Sequence, residues 1–282
     1  MRIAITGANG FIGGRLADYF LALGHEVLLL QRMQPEHIPA GASYAAYDLN
    51  TPQDLPSLKN VDALIHTAYM PFSSSNGATE KNLKGTLALY NLCIDQKIYF
   101  VFLSSMSAHQ NALSEYGKHK FVLQQRLDHS KCLILRLGLV IGSKGLFSRL
   151  SKSLSKSPFM FLAGGGLQPI QPVYIDDVVE VIAESLSIKR TGIYTLAEAR
   201  VYTMKELFLA IAEKAGKKPI FIDVPYWIIG AGISMVELLH LHFPVSKENL
   251  LGLKQLEPST TQADLDKLGV NPVSLREALR LI

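Results

Sequence analysis

Seven short apolar runs, separated by stretches of helical period, constrain this chain more than any other feature. They are Arg2 to Thr6, Glu26 to Leu30, Tyr44 to Tyr47, Ala63 to Thr67, Tyr99 to Ser104, Cys132 to Leu137 and Ile193 to Leu196. Runs that stay apolar on successive residues suit strands covered on both faces, the habit of parallel sheets whose crossover helices supply the cover. Ile12, Leu16 and Phe20 recur at spacings of four, and Leu83, Leu87, Tyr90 and Ile94 at four, three and four, so each set lines one helix face. Helices are also expected over Tyr116 to Asp128 and Asp176 to Ser187, the second opened by an acidic pair, Asp176 and Asp177, suited to a positive helix terminus. The fold class is α/β with a doubly wound parallel sheet.

The strand-helix rhythm breaks after Gly142, where a Ser- and Lys-rich stretch from Lys144 to Lys156 precedes Gly164-Gly165-Gly166. That region is an excursion from the sheet. From about Arg200 to Ile282 the chain reads mainly as helices, with Pro219, Pro225, Pro244, Pro258 and Pro272 as punctuation. The longest apolar tract, Val224 to Val236, is thirteen residues and contains Pro225. A membrane-spanning helix needs about 20 apolar residues, so no stable membrane insertion is expected.

Met1-Arg2-Ile3-Ala4-Ile5-Thr6 runs directly into the first strand and leaves no room for a secretory signal, so a cytoplasmic location is expected. Cys93 and Cys132 fall in apolar segments without metal-ligand spacing and read as packed thiols; no metal site is expected. A net charge of +4 without a long basic block gives no reason to expect nucleic acid as a partner. Lys144, Arg149, Lys152 and Lys156 can meet substrate phosphates, but a solvated helix face accounts for such a run more simply.

Between the first strand and the first helix stands Thr6-Gly7-Ala8-Asn9-Gly10-Phe11-Ile12-Gly13. Glycines there permit a tight turn and let backbone amides approach a pyrophosphate at the helix N-terminus. The spacing, G-x-x-G-x-x-G, approximates the dinucleotide fingerprint. A carboxylate ending the second strand would select NAD through the ribose 2′-hydroxyl; this chain has Gln31 and Arg32 there instead. Arg32, with Arg15 as possible support, suits a 2′-phosphate, so NADP is favoured over NAD. Asp48, followed by Leu49, either meets the adenine amine or shapes its own turn. His66, Thr67 and Ala68 end the fourth strand and would flank the cofactor, with His66 packing rather than catalysing.

Some 110 residues past the glycines, Tyr116 and Lys120 stand four apart, which places both on one face of a helix. Carbonyl reduction or alcohol oxidation at a nicotinamide requires a group that supplies or removes the hydroxyl proton. A phenol titrates near pH ~10, and a neighbouring ammonium, that of Lys120, together with an oxidised nicotinamide is expected to lower that value. Tyr116 and Lys120 then also border the cofactor, with Lys120 able to hold the nicotinamide ribose. Ser104, Ser105 and Ser107 put hydroxyls at the carboxyl edge of the sheet, where ligands bind in open α/β folds. Ser105 is preferred over Ser107 as the group that bonds the substrate oxygen.

These residues resemble those of the extended or atypical short-chain dehydrogenase/reductase superfamily, in the NAD-dependent epimerase/dehydratase group. The likeness is carried by Thr6 to Gly13, Asp48-Leu49, His66-Thr67-Ala68, Asn82 to Thr86, Ser104-Ser105, Tyr116-x-x-x-Lys120 and Leu135 to Val140. It implies Ser105, Tyr116 and Lys120 as the catalytic set and Leu137 to Val140 beside the nicotinamide. Gln171 to Val178, Arg200 to Leu207 and Leu268 to Leu275 are similar to a narrower branch that includes the nucleotide-binding accessory subunit of respiratory complex I. In that branch the NADPH can be structural and the tyrosine-lysine pair absent; here the pair is present. Two departures are the interval of eleven residues from Ser105 to Tyr116, shorter than in sugar-nucleotide epimerases, and Leu137 where many relatives carry proline.

The expectation is a Rossmann-type domain, residues 1–142 and 171–198, that binds NAD(P), with a smaller, mainly helical substrate-binding part, residues 143–170 and 199–282. It would be an NADP-dependent oxidoreductase, or an epimerase or dehydratase holding its cofactor, acting on a carbonyl or hydroxyl of a small molecule such as a nucleotide sugar. The alternative is a non-catalytic NADPH-binding sensor or assembly protein. A homodimer stays open, because helices flanking a sheet can pair across a seam or remain solvated.

Overall fold

The computed structural model describes residues 1–71, 77–145, 147, 148, 151, 159–226, 252 and 257–282. Of the expected features, Arg149, Lys152, Lys156 and most of the tract from Val224 to Val236 lie outside the described residues.

The main sheet has seven parallel strands: β1 (Arg2–Thr6), β2 (Glu26–Gln31), β3 (Ala42–Ala46), β4 (Ala63–His66), β5 (Tyr99–Ser105), β6 (Cys132–Leu137) and β11 (Gly192–Leu196). Their order is β11-β6-β5-β4-β1-β2-β3, so the chain winds outward from β1 in one direction and from β4 in the other. Ligands bind at the point where strand order reverses, beyond the carboxyl ends. Thr6 of β1 and His66 of β4 are register partners there. Each sequence-expected strand is present; the third is displaced by two residues at its start, and the others differ by at most one residue at an end.

Two apolar layers cover the sheet. Helix α1 (Phe11–Ala22) contributes Leu16 and Phe20 to one, with Val178, Val179 and Ile182 of α4 (Ile175–Ile188). Helix α2 (Ala78–Asp95) brings Leu89 and Cys93 to the other, and α3 (Glu115–Arg126) brings Leu123. Both cysteines are buried free thiols, and burial pushes both up to about 12.

The excursion and the C-terminal part form a third core. Short strands β7 (Leu139–Ile141), β8 (Phe159–Ala163), β9 (Pro169–Ile170), β10 (Pro172–Tyr174), β12 (Tyr202–Thr203) and β13 (Ile220–Val224) make three two-stranded pairs, β10 with β7, β12 with β9 and β13 with β8. Helices α5 (Met204–Lys214) and α7 (Leu275–Leu281) accompany them, whereas α6 (Gln262–Leu268) returns to the main sheet beside β11 and adds Leu265 and Leu268 to the layer of α1 and α4. Leu207, Phe208 and Ile211 of α5 meet Leu275 and Leu279 of α7 in this core. Among the described residues of the last third helix outweighs strand, as expected, and β12 and β13 are additions to that reading. Strands this short have no period of their own, and the Phe159–Ile220 register joins residues sixty-one apart.

Polar side chains tie the tail to the sheet domain. Asp177 Oδ2 accepts from Val273 N at 2.9 Å, and Glu198 Oε2 from Leu275 N at 3.0 Å. The acidic pair opening α4 thus holds other elements: Asp176 pairs with Arg15 at 2.7 Å. No helix among the described residues is long and apolar enough to cross a membrane.

Candidate active site

The glycine turn is built by close approach. Gly7 adopts φ +64°, and a Cβ there would stand 3.0 Å from both Ala68 Cα and Thr67 Oγ1. A Cβ on Gly13 would overlap the Gly7 carbonyl outright. Gly10 caps α1 in an extended conformation with no side-chain cap, which leaves the first amides of the helix facing outward. Asn9 is exposed beside them. The Phe11 ring packs where Gly142 and Gly145 have no side chain, and Ile12 packs on the core, so both face the turn with backbone N–H groups only. A cradle that a methyl group would fill, at an uncapped helix N-terminus, fits a dinucleotide pyrophosphate.

Arg32 is exposed just past β2, and Gln31 turns its amide to Met33 O at 2.9 Å. Arg15, expected to support Arg32, is instead engaged by Asp176, because α1 and α4 lie side by side on the same face of the sheet. Asp48 Oδ1 accepts from Asn50 N at 2.9 Å and from Asn50 Nδ2 at 3.1 Å, the turn chemistry anticipated as one of its two roles. Leu49 is buried against α2 where Gly85 lacks a side chain.

The end of β4 is wired to the end of β1. Thr67 Oγ1 donates to Thr6 O at 2.6 Å, while Thr67 N and Ala68 N both donate to Thr6 Oγ1 at 3.1 Å. Asn82 of α2 clasps the following loop, accepting from Met70 N at 2.9 Å and donating to Met70 O at 2.8 Å.

Ser105, Tyr116 and Lys120 are brought together. Ser105 is the last residue of β5; its Oγ accepts from Ser107 N at 3.1 Å, lies 3.3 Å from Ser107 Oγ and hydrogen-bonds the Tyr116 phenol. Helix α3 is capped by Ser114, whose Oγ accepts from Gly117 N at 3.1 Å. Gly117, between Tyr116 and Lys120, lets the helix press onto the Ser107 carbonyl, where any side chain would clash. Lys120 Nζ donates to Leu103 O at 2.7 Å and stands 6.0 Å from the centre of the Tyr116 ring. Leu137 is the register partner of Ser105; it is buried, and its carbonyl accepts from Met106 N at 3.0 Å.

The electrostatics of the bare protein show the lysine's share of the expected phenol shift to be missing. Burial raises the Tyr116 phenol above its ordinary value, the Ser105 hydrogen bond opposing this, and no contribution from Lys120 brings it down. Burial also pulls Lys120 down to about 7, so the ammonium is itself poorly supported in this dry setting. His66 is pulled down to about 3 and His119 to about 4, each chiefly by burial.

Sequence reasoning did not single out Tyr69 or Phe102, whose rings lie 5.3 and 4.5 Å from Lys120 Nζ. The signal was available: Tyr69 directly follows His66-Thr67-Ala68, and Phe102 lies on the strand ending in Ser105. Among the described residues no group of three or more His, Cys, Asp or Glu side chains is arranged to hold a metal.

A seven-stranded parallel sheet with a glycine cradle and a serine-tyrosine-lysine set at its carboxyl edge defines an NAD(P)-dependent enzyme of the short-chain dehydrogenase/reductase type. The NAD dependent epimerase/dehydratase family model matches residues 3–196, and the chain belongs to that family. It is 25% identical over 237 residues to a ceramide reductase of Caulobacter vibrioides, covering 79% of this chain and 73% of that protein. It is 23% identical over 280 residues to the mitochondrial NADH dehydrogenase [ubiquinone] 1 alpha subcomplex subunit 9 of Arabidopsis thaliana, covering 91% and 69% respectively. The fold is shared with the UDP-glucose 4-epimerase of Thermotoga maritima, crystallised with UDP-glucose, at a TM-score of 0.73 and 20% identity over 100% of this chain and 97% of that one.

Proposed function

We propose that this protein is an NADP-dependent oxidoreductase, or an epimerase or dehydratase that keeps its cofactor, acting on a carbonyl or hydroxyl of a small molecule, with nucleotide sugars among the candidates. The observation that carries this reading is the gathering of Ser105, Tyr116 and Lys120 at the same sheet edge as the Gly7–Gly13 cradle. The bound nicotinamide would supply or accept the hydride. Ser105 holds the substrate oxygen by hydrogen bonding, and Tyr116 gives or takes its proton. Lys120 supports the charge that develops on the phenol. The Gly7 to Gly13 turn cradles the pyrophosphate through the backbone of Asn9, Gly10, Phe11 and Ile12, and Arg32 meets a 2′-phosphate. Asp48 and Leu49 border the adenine, and Thr67, Ala68 and Leu137 border the rest of the cofactor. Residues 1–142 and 171–198 form the nucleotide-binding part, and residues 143–170 and 199–282 the substrate side.

Tyr116→Phe removes one oxygen and keeps the ring. Turnover should fall by about 10²-fold or more, while NADPH affinity, measured by fluorescence titration, stays near the wild-type value. Equal turnover in the variant refutes the assignment. A second reading, a non-catalytic NADPH-binding protein, is favoured by the likeness to the complex I subunit along most of the chain. It requires cofactor affinity without turnover against ketones, aldehydes and nucleotide sugars.

A further inference from the structure

The Lys120 ammonium lies among three aromatic rings. Its Nζ is 4.5 Å from the centre of Phe102, 5.3 Å from that of Tyr69 and 6.0 Å from that of Tyr116. Only 5% of the residue is exposed, and no carboxylate contributes to the shift of its ammonium. A buried cation loses its hydration, and the negative faces of aromatic rings return part of it. Of the rings, Phe102 is locked inside the sheet. Tyr69 stands on the loop leaving β4, one residue before the Asn82–Met70 clasp, and touches both members of the pair. Its ring meets that of Tyr116 edge to face, with centres 4.9 Å apart and planes at 89°.

We infer that Tyr69 is a positioning residue for the reaction proposed above, holding the Lys120 ammonium through its π face and the Tyr116 ring through edge-to-face contact so that the two reach the substrate oxygen as a unit. Its place in turnover rests on that reaction; the contact itself belongs to the bare protein. The other titratable groups near Lys120 do not compete with the rings: His66 on β4 and His119 on α3 are kept neutral by burial, and the Tyr116 phenol is kept protonated.

The test is the titration of Lys120 by NMR in cofactor-free protein carrying 15N/13C-lysine, its signal assigned by loss in Lys120→Arg. Tyr69→Phe keeps the ring and should titrate with the wild type. Tyr69→Leu keeps apolar bulk without the π face, so the cation loses support and its midpoint should fall by about half a pH unit or more. In turnover the same variant should lower kcat with the cofactor KM unchanged, and Tyr69→Phe should rescue it. A wild-type midpoint in Tyr69→Leu overturns the inference. Should that variant not fold, Tyr69→Met, which also removes the π face but fills the space with a flexible apolar chain, replaces it, with the same expected fall and the same overturning result. Because the titration needs no substrate, a protein without turnover would sink the enzymatic reading alone.

Discussion

The Thr6 hydroxyl and His66 Nδ1 stand 2.9 Å apart at the point where strand order reverses. Thr6 Oγ1 already accepts two backbone N–H groups, from Thr67 and Ala68, so its own proton is directed to His66. His66 Nδ1 is then the acceptor, and Nε2–H donates to Thr86 Oγ1 at 3.0 Å. One neutral imidazole in one tautomer therefore joins the glycine turn, the end of β4 and α2.

Replacing that ring should loosen the cradle as well as the core. His66→Leu leaves the Thr6 and Thr86 hydroxyls without their buried partner, at a cost of about 2 kcal/mol or more in urea unfolding. NADPH affinity should fall with it. A variant as stable as the wild type would show that the relay does not support the fold.

Stability of the cofactor-free protein should rise with alkali through Lys120. Its folded value is about 7 against an ordinary 10.5, so between those limits the unfolded chain binds the extra proton. Unfolding free energy then increases with pH across that window. Comparing denaturant midpoints near pH 7 and pH 9.5 reads the rise, and Lys120→Met should abolish it.

A methyl group at Gly13 occupies the space of the Gly7 carbonyl. Gly13→Ala should therefore weaken NAD(P)H binding by about tenfold or more, because the turn can no longer close beneath the pyrophosphate. Isothermal titration measures the loss; unchanged affinity would place the phosphates elsewhere.

In the proposed function, cofactor choice rests on Arg32. Arg32→Glu puts a carboxylate where NAD-selective folds carry one and repels a 2′-phosphate, so the ratio of NADPH to NADH affinity should drop by about 10²-fold. If the ratio does not move, the 2′-phosphate contact is wrong.

Much of the fold was legible along the chain. Apolar strands buried on two faces and four-residue stripes on α1 and α2 are local patterns, and local physics writes them into neighbouring residues. The cradle and the Tyr116–Lys120 pair were legible for the same reason, since a turn glycine and an i, i+4 spacing constrain geometry within a few residues. The ion pair of Arg15 was not legible, because its partner, Asp176, is 161 residues away. The three small strand pairs escaped as well, each strand being only two to five residues long.

Periodicity and glycine placement alone led to the doubly wound sheet and to the edge where a nucleotide would lie. Folding added the surroundings of each charged group: it pressed Phe102 and Tyr69 onto Lys120, raised the Tyr116 phenol by partial burial and spent Arg15 on Asp176. A proton's affinity depends on the dielectric and the charges around it, and those neighbours come from strands and helices distant in the chain.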